Sequence, residues 1–508
     1  MNTYQLELYQ HTAYPWHKYK NIYFRGFFFY DNELYNDLLH FTFDTSKLLK
    51  MNGSFAFIII EDDTLTLITD KIRSIPLYYY TSKDSVIITD FYTNKCEDSL
   101  TKKTENYLQL GYQLGTKTLI ENLHSVMLGT LLTFDFNKKT ISNVEYYNHK
   151  HNYKNRNCTH DELTNNLLKI EASMSARMVT ILNGRTAVVP LSGGYDSRYV
   201  LCLLLKIGYK NIVAYTYGDS NNEIKVAKKV ASQLNIHHII IPFKKEILDT
   251  FFDEKYEHYS NYSMFVNAIP LEQEYFAMKY LTDNKLIPTA SMMLPGYCAD
   301  LQGGSYLLPT SCDTSKNIVE YIIDKMQLDV KKIDIKEIQF DGIIENNEQA
   351  VSEFENWFTK EKVSKLIING VRAYEYHGFE WYLLFWDEEY ISFYYNLDTS
   401  HRVQSSFYIN HIFNQYFIPL HVNYSKKNYF INEKYAKIKS SISSILNYFR
   451  IELSQNIKDI ARDTNGLEAL RNMLQTKLKI DRIDCDDINR LEARYFIRLL
   501  KKKLQKNK

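Results

Sequence analysis

The chain has 508 residues, 45 % hydrophobic and 24 % charged, with 61 Lys+Arg against 60 Asp+Glu for a formal charge of +1. That usage excludes a fibrous or mostly disordered chain, and the near balance excludes a surface coated in base for wrapping nucleic acid, though not a local basic groove. At roughly 100–200 residues per domain, two or three domains are expected.

In chain order, the runs Phe24–Tyr30, Phe55–Ile60, Leu65–Ile68, Leu77–Tyr80, Val86–Ile88 and Leu131–Phe136 are short and rich in β-branched and aromatic residues. They predict strands and a largely β, sandwich-like first domain. The polar, His/Asn-rich stretch between Tyr147 and Asp161 predicts a linker. Asp161–Leu182 has helical spacing and is followed by a strand, Ala187–Leu191, a Gly-Gly turn, and a helix from Arg198 to Ile207 closed by Gly208. Ile212–Tyr217 is the next strand. A capping box at Ser220–Glu223 opens a helix to about Leu234, and His238–Ile241 is a third strand. Strands alternating with helices at this spacing mean a parallel sheet with right-handed crossovers. Beyond Tyr259 the pattern is mostly helical, and Lys501–Lys503 with Lys506 read as a solvated, frayed tail.

Six cysteines are scattered without a CxxC pair, which fits a reducing compartment. No apolar stretch approaches the ~20 residues of a membrane span. A cytoplasmic protein with no membrane or nucleic-acid partner is expected. His237-His238 reads as a surface pair rather than a metal site, because adjacent strand residues point to opposite faces.

Ser192-Gly193-Gly194-Tyr195-Asp196-Ser197 lies between a strand and a helix. The glycines permit positive φ and close approach of backbone to a ligand. Successive N–H groups and the helix start make an anion-binding nest. The hydroxyls of Ser192 and Ser197 can donate to phosphate, whereas Asp196 makes sense only if a divalent cation lies between it and the phosphates. The local chemistry is that of a polyphosphate–Mg²⁺ site at the C-terminal edge of a parallel sheet. No Gly-Lys-Ser/Thr of a Walker A element accompanies it.

Ser192–Ser197 resembles the pyrophosphate loop of the ATP-pyrophosphatase superfamily, and the chain from about residue 20 to 435 resembles the asparagine-synthetase-like proteins within it. Asn52–Phe57 with Asp70–Tyr79 is similar to the amidotransferase domain of that family, Leu294–Asp300 to its second acidic loop, and Glu380–Asp387 to its Glu-x-Arg-x-Pro-Phe-Leu-Asp stretch. The resemblance implies an α+β amidotransferase-like (Ntn-type) sandwich over residues 1–155, an α/β parallel-sheet synthetase domain over 160–435, and a helical extension over 436–508. It implies ATP and Mg²⁺: a carboxylate attacks the α-phosphate, pyrophosphate leaves, and a nitrogen nucleophile converts the acyl-adenylate to an amide. By resemblance Leu191, Ser192, Gly193, Gly194, Asp196 and Ser197 hold the phosphates, Tyr217 lies by the adenine through its backbone, and Gly296 lies against the nucleotide. Asp196 and Asp300 hold the metal, Lys427 (or its neighbour Lys426) faces the leaving pyrophosphate, and Glu380 orients that lysine or acts on the amine.

The chain departs from the family in two places. Position 2 is Asn2 where glutamine-dependent members have a nucleophilic cysteine, so no glutaminase activity is expected. Free ammonia, an amine, or a separate ammonia-supplying partner would provide the nitrogen. Tyr297 and Tyr382 stand where charged groups are usual, which points away from aspartate and toward a specialised carboxylate such as a sugar acid. A homodimer is compatible with the resemblance. Two other readings stay open: sulfur transfer to tRNA, against which near-neutral charge and the lack of CxxC count, and a non-catalytic scaffold, against which retention of Ser192–Ser197 with Asp300 counts.

Overall fold

The computed structural model describes residues 3–82, 85–154, 158–218, 222–326, 328–424, 468–479 and 488–506. Its first part is built on the strands β1 (Thr3–Glu7), β2 (His17–Tyr19), β3 (Ile22–Tyr30), β4 (Glu33–Tyr35), β5 (Asn52–Ile60), β6 (Thr64–Thr69), β7 (Tyr78–Thr81), β8 (Ser85–Thr89), β9 (Leu123–Ser125), β10 (Thr130–Asp135) and β11 (Thr140–Glu145). They form a four-stranded sheet, β1-β8-β7-β9, and a seven-stranded sheet, β11-β10-β6-β5-β3-β2 with β4 on β3. The six expected strands are all present. Alternation along β5 shows why two layers form: Ala56 and Ile58 enter the main core, while Phe55 and Phe57 join Phe24, Phe28 and Met51 in a separate aromatic cluster. Helix before residue 150 is confined, among the described residues, to α1 (Glu105–Leu110) and a 3₁₀ turn at Thr45–Lys50.

The expected linker is partly a buried seam. His149 bonds the Lys71 carbonyl through Nε2 (2.7 Å), and His151 lies 2.9 Å from Glu355 and stacks on Tyr395. Burial lowers both imidazole pKa values, so these polar residues serve packing between the halves. Further ties cross the same seam. Arg25 pairs with Glu375 at 2.8 Å with both side chains buried. Asn52 donates to Asp387 at 2.9 Å across the halves, and Asp387 also accepts from Arg177 of its own half at 2.7 and 2.9 Å.

The second part opens with α2 (His160–Leu182), capped reciprocally by Thr159 and Glu162. There follow β12 (Ala187–Pro190), α3 (Asp196–Lys206), β13 (Ile212–Gly218), α4 (Asn222–Gln233), β14 (His237–Pro242), α5 (Glu272–Asp283), β15 (Met292–Met293), α6 (Ala299–Gly303), α7 (Ser315–Met326), α8 (Asn347–Phe358) and β16 (Glu380–Trp381). The sheet is parallel throughout, in the order β14-β13-β12-β15-β16. Ala187, Val188 and Val189 of β12 are wholly buried, as a central parallel strand requires. Strand order reverses at β12, so the crevice beyond its C-terminal end is the switch point where such sheets bind ligands. Ser220 of the expected capping box lies outside the described residues.

Among the described residues beyond 424 there are two helices, α9 (Glu468–Leu478) and α10 (Ile488–Lys506). The basic run is not a frayed tail. Leu500 and Leu504 are buried, Lys503 donates to Asn261 at 2.9 Å, and its ammonium lies over the Phe265 ring. The apolar face of α10 anchors the run, and Lys501 and Lys502 remain exposed. No helix among the described residues is long and apolar enough to cross a membrane.

Candidate functional site

The turn after β12 is set by its own hydroxyls. The Ser192 N–H donates to Ser197 Oγ (3.1 Å), the Gly194 N–H to Ser192 Oγ (3.1 Å), and the two hydroxyls lie 3.3 Å apart. Neither glycine uses positive φ, contrary to expectation. Both are needed for close approach: a Cβ on Gly193 would lie 2.9 Å from Glu223 Cα, and one on Gly194 3.0 Å from Ser192 Oγ. Arg198, one turn into α3, donates to the carbonyls of Gly193 (3.2 Å), Val422 (2.7 Å) and Tyr424 (2.8 Å). It ties the loop to the chain that returns past it.

A cavity of about 610 Å³ opens over this turn. Leu191, Ser192, Gly194, Asp196, Ser197, Tyr217, Gly296 and Asp300 all line it, while Gly193 does not, so the fold gathers eight of the eleven residues singled out in the sequence, from the ends of three strands. Gly296 is demanded by contact, since a Cβ there would lie 2.7 Å from Ser197 N. That contact sets the Leu294–Asp300 loop on the start of α3. The Asp300 N–H donates to Asp196 Oδ2 at 3.1 Å, and the Tyr408 hydroxyl donates to Asp196 Oδ1 at 2.7 Å. Burial and the charge of Asp300 push the Asp196 carboxyl well above its usual range. Two neighbouring carboxyl groups beside this turn suit a hard divalent cation whose remaining ligands are phosphate and water. Among the described residues no group of three or more His, Cys, Asp or Glu forms an all-protein metal cage.

Three expectations need correction or limits. Glu380 is not brought to the cavity. Its register opposite Met292, itself opposite Ala187, puts it at the N-terminal edge of the sheet, where it pairs with Arg185 at 2.7 Å. Tyr382 is buried against Phe27 and is absent from the described lining. Lys426 and Lys427 lie outside the described residues.

The sequence did not single out Glu274 as a site residue. It projects from α5 into the cavity wall and accepts from Tyr217 (3.1 Å), Tyr215 (3.2 Å) and Tyr374 (3.0 Å), the last touching Tyr297 at 3.2 Å. Burial raises its pKa, against the lowering effect of these phenols. Tyr215 and Tyr217, two apart on β13, were the readable signal: one strand face carries both. Four tyrosines and no tryptophan line the described cavity, and its charged groups, Asp196, Glu223, Glu274 and Asp300, are all acidic. Cys298 holds φ +69° between Tyr297 and α6, and burial together with Asp300 and Asp196 keeps its thiol well above the usual range.

Comparison with known proteins bears on this site. Over 146 residues the chain is 32 % identical to the tRNA-specific 2-thiouridylase MnmA 1 of Fusobacterium nucleatum, a match spanning 28 % of this chain and 38 % of that enzyme. Among solved structures, the NH3-dependent NAD synthetase of Campylobacter jejuni aligns at 20 % identity and TM-score 0.20, over 36 % of this chain and 79 % of that one. The U34-tRNA thiolase NcsA of Methanococcus maripaludis aligns at 12 % identity and TM-score 0.23, over 52 % and 78 %. The family model described as asparagine synthase matches residues 169–439, just over half of the chain and the whole of the cavity described above. The chain belongs to the asparagine synthase family.

Proposed function

We propose that this chain joins a carboxylate to ammonia or an amine at the expense of ATP, releasing pyrophosphate and AMP through an acyl-adenylate. The observation that carries the reading is the meeting of Asp196 and Asp300, from the loops that follow β12 and β15, beside the serine–glycine turn that lines the same cavity. In-line displacement at phosphorus needs positioning and neutralised charge more than covalent help from protein. The turn's N–H groups other than those of Ser192 and Gly194, which the serine hydroxyls already take up, would hold the phosphates with the start of α3. Gly296 would keep the acidic loop close enough for both carboxylates to act together. A Mg²⁺ held by Asp196 and Asp300 would neutralise charge on the phosphate oxygens. Lys427 would face the leaving pyrophosphate; this assignment rests on sequence resemblance.

The described walls offer the carboxylate substrate phenols and carboxylates and no cation, which favours a hydroxyl-rich molecule with a single acidic group, such as a sugar acid, over aspartate. Residues 1–155 would be an amidotransferase-type domain that no longer hydrolyses glutamine. Their sole cysteine, Cys96, is exposed, and Arg73 of the amidotransferase-like stretch is buried, donating to the Val126 carbonyl at 2.9 Å. The sulfur-transfer reading has the thiouridylase similarity in its favour. Against it, the cysteine in the cavity is held as a thiol, the poor nucleophile of the two forms.

The test is pyrophosphate and AMP release from ATP with ammonium and a panel of carboxylic acids that includes uronic acids. Turnover dependent on both acid and nitrogen donor is expected. AMP formation that needs tRNA and a sulfur donor instead would overturn the reading.

A further inference from the structure

Asp196 is gripped at both carboxylate oxygens. The Tyr408 phenol donates to Oδ1 at 2.7 Å and the Asp300 N–H to Oδ2 at 3.1 Å. Each oxygen therefore takes one donor and keeps a further lone pair that a cation can use. Tyr408 is buried and absent from the described lining of the cavity, so it meets a ligand only through Asp196.

The segment that carries the phenol is fastened to the acidic loop. Tyr408 lies on the helix Ser406–Ile412, which follows two left-handed residues that are not glycine, Gln404 at φ +53° and Ser405 at φ +55°. Such backbone persists only where its surroundings over-determine it. Here the surroundings are α6 and the residue after it. Arg402 donates to the carbonyls of Gln302 at 2.7 Å and Leu301 at 3.3 Å, and a Cβ on Gly304 would strike the Arg402 carbonyl. A Cβ on Gly303 would lie 2.7 Å from Tyr408 Cβ. One clamped unit thus carries both the Asp300 carboxyl and the hydroxyl that holds Asp196. Packing near Tyr199 and Tyr394 explains the aromatic body of Tyr408. It does not explain why the phenolic oxygen ends on this carboxylate.

We infer that Tyr408 is a positioning residue of the magnesium–ATP site: its hydroxyl fixes the plane of the Asp196 carboxylate beside Asp300, and its helix ties that orientation to the acidic loop. The terminal torsion of an aspartate is broad, so a carboxylate that loses one of two donors turns and offers a cation the wrong lone pairs. Partners that orient metal-holding groups in this way are typically worth about 10–100-fold in metal affinity. The inference rests on the reading of Asp196 and Asp300 as the pair that holds Mg²⁺.

The test titrates ATP into the full-length protein with Mg²⁺ and with EDTA, by calorimetry, and takes the ratio of the two affinities. Tyr408→Phe removes one oxygen and leaves the ring on Gly303. It should keep its fold by circular dichroism and its affinity in EDTA, while the ratio falls about tenfold. Replacing Tyr408 with 4-aminophenylalanine, which restores a donor at the same place, should return most of the ratio. Phe407→Leu loosens the same helix through a neighbouring buried ring and spares the hydroxyl. It should lower the melting temperature and keep the wild-type ratio, a split that a merely structural role for Tyr408 would not produce. Absence of magnesium dependence in wild type would overturn the reading of the site and this inference together. Dependence present in wild type and undiminished in Tyr408→Phe would overturn this inference alone. So would an equal loss in Phe407→Leu, no recovery with the amino side chain, or a Tyr408→Phe chain that does not fold.

Discussion

Replacing Gly296 with alanine tests how the two acidic loops are held together. The added Cβ would lie 2.7 Å from Ser197 N, 2.8 Å from Asp196 C and 2.9 Å from Ser197 Cα, all main-chain atoms that cannot rotate away. Ordinary contact begins at 3.4 Å, so the two segments must part by about 0.7 Å. Overpacking of this kind costs ~1–3 kcal/mol, of which ~0.4–1 returns because alanine restricts the unfolded chain. The net loss is therefore about 1–2 kcal/mol, a fall of roughly 1–4 °C in melting temperature for a chain of this size. Because the displaced loop carries Asp300, Mg²⁺-dependent ATP affinity should fall about tenfold, the equivalent of ~1.4 kcal/mol. Gly115→Ala is the control: its φ is +62° with nothing within 4 Å, so it should lose ~1–2 kcal/mol to backbone strain and leave ATP affinity alone. Scanning calorimetry and ATP titration of the two variants decide. A Gly296→Ala protein that melts and binds ATP like wild type refutes the packing argument. One that loses stability alone refutes the link to the site.

Two more outcomes follow from buried groups. Burial raises Glu272 from 4.5 to about 8, so the folded protein holds a proton that the unfolded chain releases, and stability should fall as pH rises from about 4.5 to 8. Glu272→Gln should therefore gain in urea midpoint over wild type at pH 8.5 but little at pH 5.5; an equal difference at both values contradicts the assignment. Arg198→Met should leave the carbonyls of Gly193, Val422 and Tyr424 without their donor, at ~1–3 kcal/mol for each that stays buried. Hydrogen exchange should quicken in residues 193–197 and 422–424, and unchanged protection there would show that Arg198 does not hold them.

The nucleotide loop, the parallel sheet and the strands of the first half were legible because each is written locally, in glycines beside a strand end or in two-residue and helical periods. What escaped depends on long-range register. Glu380 belongs to a suggestive motif, yet the pairing of β16 on β15 carries it to the far edge of the sheet, and nothing within ten residues of it encodes that pairing. Glu274 reads as one more acid on an amphipathic helix until tertiary contact wraps it in phenols. The 149–151 segment is polar enough to be a linker, but its histidines find partners on Lys71 and Glu355 more than 70 residues away, which makes burial affordable. The basic end of α10 likewise takes its place from Leu500 and Leu504, not from its lysines.

The central claim is that Asp196 and Asp300 together make the phosphate turn a magnesium-dependent ATP site. It is tested most directly by titrating ATP into wild type and Asp196→Ala with and without Mg²⁺. Wild type should bind ATP in a magnesium-dependent manner, and the variant should keep its fold by circular dichroism while losing that dependence. Unchanged magnesium-dependent affinity in a folded Asp196→Ala protein would contradict the account.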